Sequence, residues 1–117
     1  MTQKETWTTG TQAAAHGGYT TIIDMPNTLP ATDTKKAFQE KRNIATKKSY
    51  VDFGLHAGVK TRQDVMDIMS EKPASYKIFM DLYTNKQLDE MFNYVSQTNK
   101  PLSLHCEDKT LVDYNIK

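Results

Sequence analysis

A lysine with metal-binding potential stands inside an apolar segment of the chain. Lys77 lies within Ser75-Tyr-Lys-Ile-Phe-Met80, where its large apolar neighbours predict a largely buried side chain. Burial lowers the pKa of a lysine and favours the neutral amine. A neutral amine can add CO2 to form a carbamate, whose anionic oxygens bind metal ions. The alternative interpretation is an edge-strand lysine whose ammonium group reaches water.

A histidine with similar potential ends a second apolar run, Leu102-Ser-Leu-His105. A neutral imidazole at the end of a strand suits zinc. The alternative is a hydrogen-bonded core histidine. By alternation Cys106 points to the opposite side, which predicts a small buried residue. His56 follows another apolar segment, and we interpret it as structural rather than as a ligand.

Four predicted β-strands must position these side chains. They lie near residues 20–25, 50–55, 75–80 and 102–106, where β-branched and apolar residues cluster. Amphipathic segments separate them, including a helix predicted from Lys35 to Lys48. The strands therefore recur roughly every 25 to 30 residues, which is typical of βα units and predicts an α/β fold with a parallel sheet.

Alternation along the strands predicts one apolar and one polar face. In the second strand Phe53 and Leu55 oppose Asp52, and His56 follows as the start of a loop. The polar face also carries Lys77, Ser103 and His105. A strand buried on both faces reads as a continuous apolar run, and unpaired buried polar groups are costly. The polar groups are therefore expected either to pair with one another or to bind a ligand, and in parallel α/β proteins ligands bind where the strands end.

Composition narrows the class of protein. The chain has 117 residues, a formal charge of +1 and a single cysteine. The length predicts one domain over residues 1–117 and is short for a closed (β/α)8 barrel, which needs about 250 residues. The balanced charge predicts no nucleic-acid binding, and no segment is apolar enough to span a membrane. The missing secretory signal and the lone cysteine predict a cytoplasmic protein.

Four motifs resemble the dihydroorotases of the amidohydrolase superfamily. The resemblance rests on Ala13–Thr28 with its Asp-Met-Pro-Asn-Thr ending, Tyr50–Gly58, Tyr76–Met80 and Leu104–Asp108. Asp24-Met-Pro-Asn-Thr28 is the most specific of these and is more similar to dihydroorotases than to allantoinases or hydantoinases. Those two related cyclic amidohydrolases remain the alternatives.

The resemblance implies a partial (β/α)8 TIM barrel in which the four strands are barrel strands 2 to 5. It implies zinc as cofactor, one or two ions in the complete enzyme, with Lys77 as a carboxylated lysine ligand and His105 as a second ligand. It implies that Asn27 binds the substrate carboxylate. The implied reaction is the reversible hydrolysis of dihydroorotate to carbamoyl aspartate in pyrimidine biosynthesis.

Other parts of the family pattern have no counterpart in these 117 residues. The His-x-His pair of barrel strand 1, the histidine of strand 6 and the catalytic aspartate of strand 8 are not found. The sequence therefore predicts a central fragment that is inactive by itself. A second hypothesis is a non-catalytic half-barrel that self-associates. By analogy the resemblance also allows a homo-oligomer and an association with aspartate transcarbamoylase.

Overall fold

The sheet has four parallel strands in the order of the chain. A computed structural model describes residues 4–116. Its strands are β1 (Thr21–Asp24), β2 (Asp52–Gly58), β3 (Ser75–Phe79) and β4 (Leu102–His105). Each strand pairs in parallel with the next, in the order β1-β2-β3-β4. The predicted α/β class and the parallel βα arrangement are confirmed.

Within residues 4–116, one α-helix precedes the strands and four connect or follow them, and a side chain caps each of the five. The helices are α1 (Trp7–His16), α2 (Lys35–Lys48), α3 (Arg62–Met69), α4 (Asn85–Ser96) and α5 (Lys109–Asn115). The caps are Thr6, Thr34, Thr61, Thr84 and Asp108, whose side-chain oxygens accept from first-turn backbone N–H groups. These bonds satisfy N–H groups that have no partner within the helix. Local sequence therefore determines where the helices begin.

The core lies between the sheet and its helices. Leu55 and Ala57 of β2 and Tyr76 and Ile78 of β3 are buried on this face. Apolar residues of α3 and α4 cover them, namely Val65, Ile68, Leu88, Met91 and Val95. The Tyr76 hydroxyl, fully buried, donates to the Val65 carbonyl at 3.2 Å. On β2 and β3 the helix-facing side of the sheet is therefore apolar, and the hydroxyl of Tyr76 is hydrogen-bonded.

The structure corrects the sequence predictions at two strand ends. His56, Ala57 and Gly58, predicted as a loop, continue β2, because Ala57 is buried in the core and Gly58 pairs with Lys77. Cys106 is exposed, so the prediction of a small buried residue is wrong. β4 ends at His105, and strand alternation therefore no longer orients the next side chain.

Candidate functional site

The candidate site lies on the face of the sheet opposite the helices, which we call the inner face. The strand register places paired residues on the same side of the sheet. The polar residues that β2, β3 and β4 contribute to the inner face are Asp52, His56, Ser75, Lys77, Ser103 and His105. The predicted polar face is therefore confirmed as one continuous surface across β2, β3 and β4.

Lys77 is buried at the middle of the inner face. Its residue exposure is 8 %, and it is flanked in register by Gly58 of β2 and Ser103 of β4. Its Nζ lies 5.3 Å from the centroid of the Phe79 ring. None of the ion pairs formed within residues 4–116 includes this lysine. The predicted burial is confirmed, and the edge-strand alternative is wrong because β3 has a partner on each side.

His105 lies on the same face at the end of the neighbouring strand. It pairs with Phe79, and the two ring centroids are 5.5 Å apart. One strand spacing and two residues separate its Cα from that of Lys77, roughly 8 Å. Its Nε2 lies 2.9 Å from Glu107 Oε1, and its side chain is 48 % exposed. The core-histidine alternative is therefore wrong, and the role as a ligand stays a prediction.

The loop after β1 brings Asn27 to the same end of the sheet. Asn27 is exposed, whereas the preceding Pro26 is buried against β2. A Cβ built on Gly58 would stand 3.3 Å from Pro26 Cβ, so the glycine permits this close approach. The Gly58 N–H also donates to the Thr32 carbonyl of the loop at 2.9 Å. Because Gly58 pairs with Lys77, the loop lies one strand away from the buried lysine.

A lysine on α2 holds the beginning of this loop, and sequence analysis did not identify it. The Lys41 side chain, 11 % exposed, forms an ion pair with Asp24. Its Nζ also donates to the Met25 carbonyl at 2.7 Å and to Thr28 Oγ1 at 3.2 Å. The sequence did carry a signal for this contact. An acidic residue, Asp24, ends a predicted strand, and the helix that follows has a lysine, Lys41, on the side that faces the sheet.

Three polar side chains form a hydrogen-bonded row across the inner face, which we call the polar row. His56 Nδ1 lies 2.5 Å from Ser75 Oγ, and Ser75 Oγ lies 3.3 Å from Ser103 Oγ. Burial lowers the pKa of His56, and the positive charge of Lys77 lowers it further. The hydrogen bond to Ser75 agrees with the interpretation of His56 as a structural residue. That interpretation does not explain why His56 and Lys77 share the inner face.

The donors on the inner face suit part of a metal centre. Across residues 4–116, no three His, Cys, Asp or Glu side chains come together in a way that could hold a metal ion. Lys77 and His105 nevertheless share one face near the ends of adjacent strands, and a buried lysine without an acidic partner suits carbamate formation. This donor set fits two ligands of a zinc site. In the same residues, no helix is long and apolar enough to cross a membrane.

Comparison with protein families gives a match over nearly the whole chain. Residues 1–116 match the family described as Dihydro-orotase-like. The dihydroorotase of Methanothermobacter thermautotrophicus is 43 % identical over 116 residues, which cover 97 % of this chain and 27 % of that protein. The dihydroorotase of Pyrococcus abyssi is 38 % identical over 114 residues, or 95 % of this chain and 26 % of that protein. The chain thus spans about a quarter of the length of these curated relatives.

Solved structures with the same arrangement include hydantoinases. The L-hydantoinase of Arthrobacter aurescens superimposes with a TM-score of 0.77 at 29 % identity, over 89 % of this chain and 25 % of that chain. A D-hydantoinase gives a TM-score of 0.76, also at 29 % identity, over 95 % of this chain and 26 % of that chain. The four strands therefore correspond to part of a TIM barrel, as predicted.

Proposed function

The chain belongs to the dihydroorotase-like family, and on that premise we propose that it carries part of the active site of a dihydroorotase. The reaction is the reversible hydrolysis of the cyclic amide of dihydroorotate to carbamoyl aspartate. The observation that carries the proposal is Lys77, which is buried on the inner face one strand from His105 and forms no ion pair with any described residue. The curated relatives named above are dihydroorotases, which favours this substrate over allantoin or hydantoin.

Each of three side chains has one role in this proposal. Lys77, as its carbamate, and His105 hold zinc, and Asn27 donates hydrogen bonds to the substrate carboxylate. Zinc, when bound, supplies a Lewis acid that polarises the ring amide carbonyl and makes water a nucleophile near neutral pH. Lys77 as a whole residue is buried, and the exposed Asn27 leaves its amide free to meet a ligand.

A chimeric enzyme tests the proposal. Residues 1–116 of this chain replace the matching segment of the Methanothermobacter dihydroorotase, and ring opening is followed by loss of dihydroorotate absorbance. We expect a zinc-dependent enzyme that prefers dihydroorotate to hydantoin and allantoin. Lys77→Ala and His105→Ala should abolish turnover and zinc retention. Asn27→Ala should raise KM more than it lowers kcat, because it removes a contact to an unreacting carboxylate.

Two controls make the chimera decisive. Lys86→Ala removes an exposed lysine of α4 and should leave turnover and zinc content unchanged. The parent enzyme, purified in parallel, shows that the assay and the zinc loading work. A folded chimera that binds zinc and hydrolyses none of the three substrates would contradict the proposal. Preference for hydantoin or allantoin would reassign the substrate within the family.

Self-association is a second candidate role, favoured by the edges of the sheet. In the described part of the chain, β1 and β4 each pair with a strand on one side only. Ile23 and Leu104, on these two strands, remain 53 % and 36 % exposed. An edge strand presents unpaired N–H and C=O groups that can pair with another chain. Sedimentation of the purified chain tests this role: a dimer supports it, and a monomer at high concentration counts against it.

A further inference from the structure

The loop after β1 is held from both sides of the sheet. Gly58 is the register partner of Lys77, so a Cβ on Gly58 would point to the inner face, 3.3 Å from Pro26 Cβ. The loop therefore crosses the end of the sheet and contacts its inner face one strand from Lys77. From the helix side, Lys41 of α2 contacts the same loop. Asn27 lies in the segment between these contacts.

The hydrogens of one ammonium group match the acceptors that this loop presents. An ammonium group has three hydrogens and no lone pair. Lys41 Nζ forms an ion pair with Asp24. It also donates to the Met25 carbonyl at 2.7 Å and to Thr28 Oγ1 at 3.2 Å. Two of these partners precede Asn27 in the chain and one follows it, so a single side chain holds the loop on both sides of Asn27.

Two further hydrogen bonds close the loop on itself. The Thr28 hydroxyl, which accepts from the ammonium group, donates to the Pro30 carbonyl at 2.9 Å. The Thr32 N–H donates to the Pro26 carbonyl at 2.8 Å. Asn27, between Pro26 and Thr28, is exposed. Both chain neighbours of Asn27 are therefore held in place, while its own side chain stays accessible to a ligand.

Lys41 occupies a position of α2 at which an apolar residue is the ordinary choice. It follows Phe38 by three residues and precedes Ala45 by four, and both of these are buried on the same face of the helix. The Lys41 side chain is 11 % exposed. A charged group in such a position costs free energy unless it is paired. The loop supplies the partners, so the packing of this lysine and the conformation of the loop depend on each other.

We propose that Lys41 is a positioning residue for Asn27: its ammonium group holds the loop after β1 in the conformation that presents the Asn27 amide to the substrate carboxylate. This inference rests on the proposed function. A loop that already has its bound conformation loses less conformational entropy when the ligand binds. In a loop without these contacts, only the molecules in the right conformation bind, and the apparent affinity falls by that fraction. Lys41 therefore acts on substrate binding rather than on the chemical step.

A double-mutant cycle in the chimeric enzyme tests this role. We expect Lys41→Met to raise KM for dihydroorotate about tenfold with kcat nearly unchanged, the factor for a loop that keeps the binding conformation in about a tenth of the molecules. In an Asn27→Ala background the same substitution should leave KM unchanged, because the contact that Lys41 positions is already absent. Lys36→Met removes an exposed lysine of the same helix and should change neither constant.

The outcomes separate this role from the proposed function. In an active chimera, an unchanged KM in Lys41→Met, a loss of kcat alone, or the same rise in KM with and without Asn27 would overturn the positioning role and leave the proposed function standing. A folded, zinc-loaded wild-type chimera without activity would overturn the proposed function and this inference with it. If the Lys41→Met chimera does not fold, Thr28→Val decides: it keeps the ion pair with Asp24 and should raise KM only when Asn27 is present.

Discussion

Replacing Lys41 by methionine should destabilise the chain through loss of the contacts that hold the loop after β1. Lys41 forms an ion pair with Asp24 and donates to the Met25 carbonyl and Thr28 Oγ1. Methionine keeps an unbranched, flexible apolar chain and so preserves packing of the stem. The substitution therefore isolates the ammonium group and its three partners.

The burial of the pair gives the magnitude. The side chains are 11 % exposed for Lys41 and 33 % for Asp24. Breaking a fully buried pair costs about 3–5 kcal/mol, and an exposed pair contributes about 0–1 kcal/mol. A pair between these limits, whose carboxylate keeps some access to water, should lose about 2–3 kcal/mol of unfolding free energy. Asp24→Asn in the Lys41→Met background should recover about 1 kcal/mol, because no uncompensated charge then remains.

Urea unfolding followed by circular dichroism measures this loss, with unchanged m-values as a check on two-state behaviour. The matched control is Lys36→Met on the same helix, whose Nζ lies 3.9 Å from Glu40 Oε1 with both side chains largely exposed. That control should change stability by less than about 0.5 kcal/mol. A Lys41→Met loss no larger than the control, or no coupling to Asp24→Asn, would refute the stabilising role of the Lys41 contacts.

Three further predictions concern the core, the pH dependence and the activity of the chain. Ile68→Ala should cost about 2–4 kcal/mol and Ile68→Val about 1 kcal/mol in urea midpoints, because Ile68 is fully buried. Burial and Lys77 hold the pKa of His56 below 6.5, so the unfolded state binds the proton first. Stability should therefore decline as pH falls below 6.5, and His56→Asn should flatten that decline; an unchanged slope would contradict it. The purified 117-residue chain should not hydrolyse dihydroorotate, because residues 4–116 bring together no three His, Cys, Asp or Glu side chains that could hold a metal ion; zinc-dependent turnover that Lys77→Ala abolishes would contradict this.

Local patterns in the sequence determined most of the secondary structure. α2 spans Lys35–Lys48 as predicted, because Thr34 caps its first turn and apolar residues repeat at helical spacing. The four strands were found because β-branched and apolar residues cluster between loop residues. Strand alternation placed Lys77 and His105 on one face, and the structure agrees. These features depend on residues close together in the chain.

Only the tertiary structure decided where β2 ends and what surrounds Lys77. β2 continues through Gly58 because that residue pairs with Lys77 and contacts Pro26, both distant in sequence. The polar row and the Lys41 contacts likewise join side chains on different elements. Alternation and capping follow from the geometry of one strand or one helix, whereas hydrogen-bond partners and burial depend on how separate elements pack. The sequence by itself therefore determined which residues carry the chemistry, and the fold determined which neighbours they have.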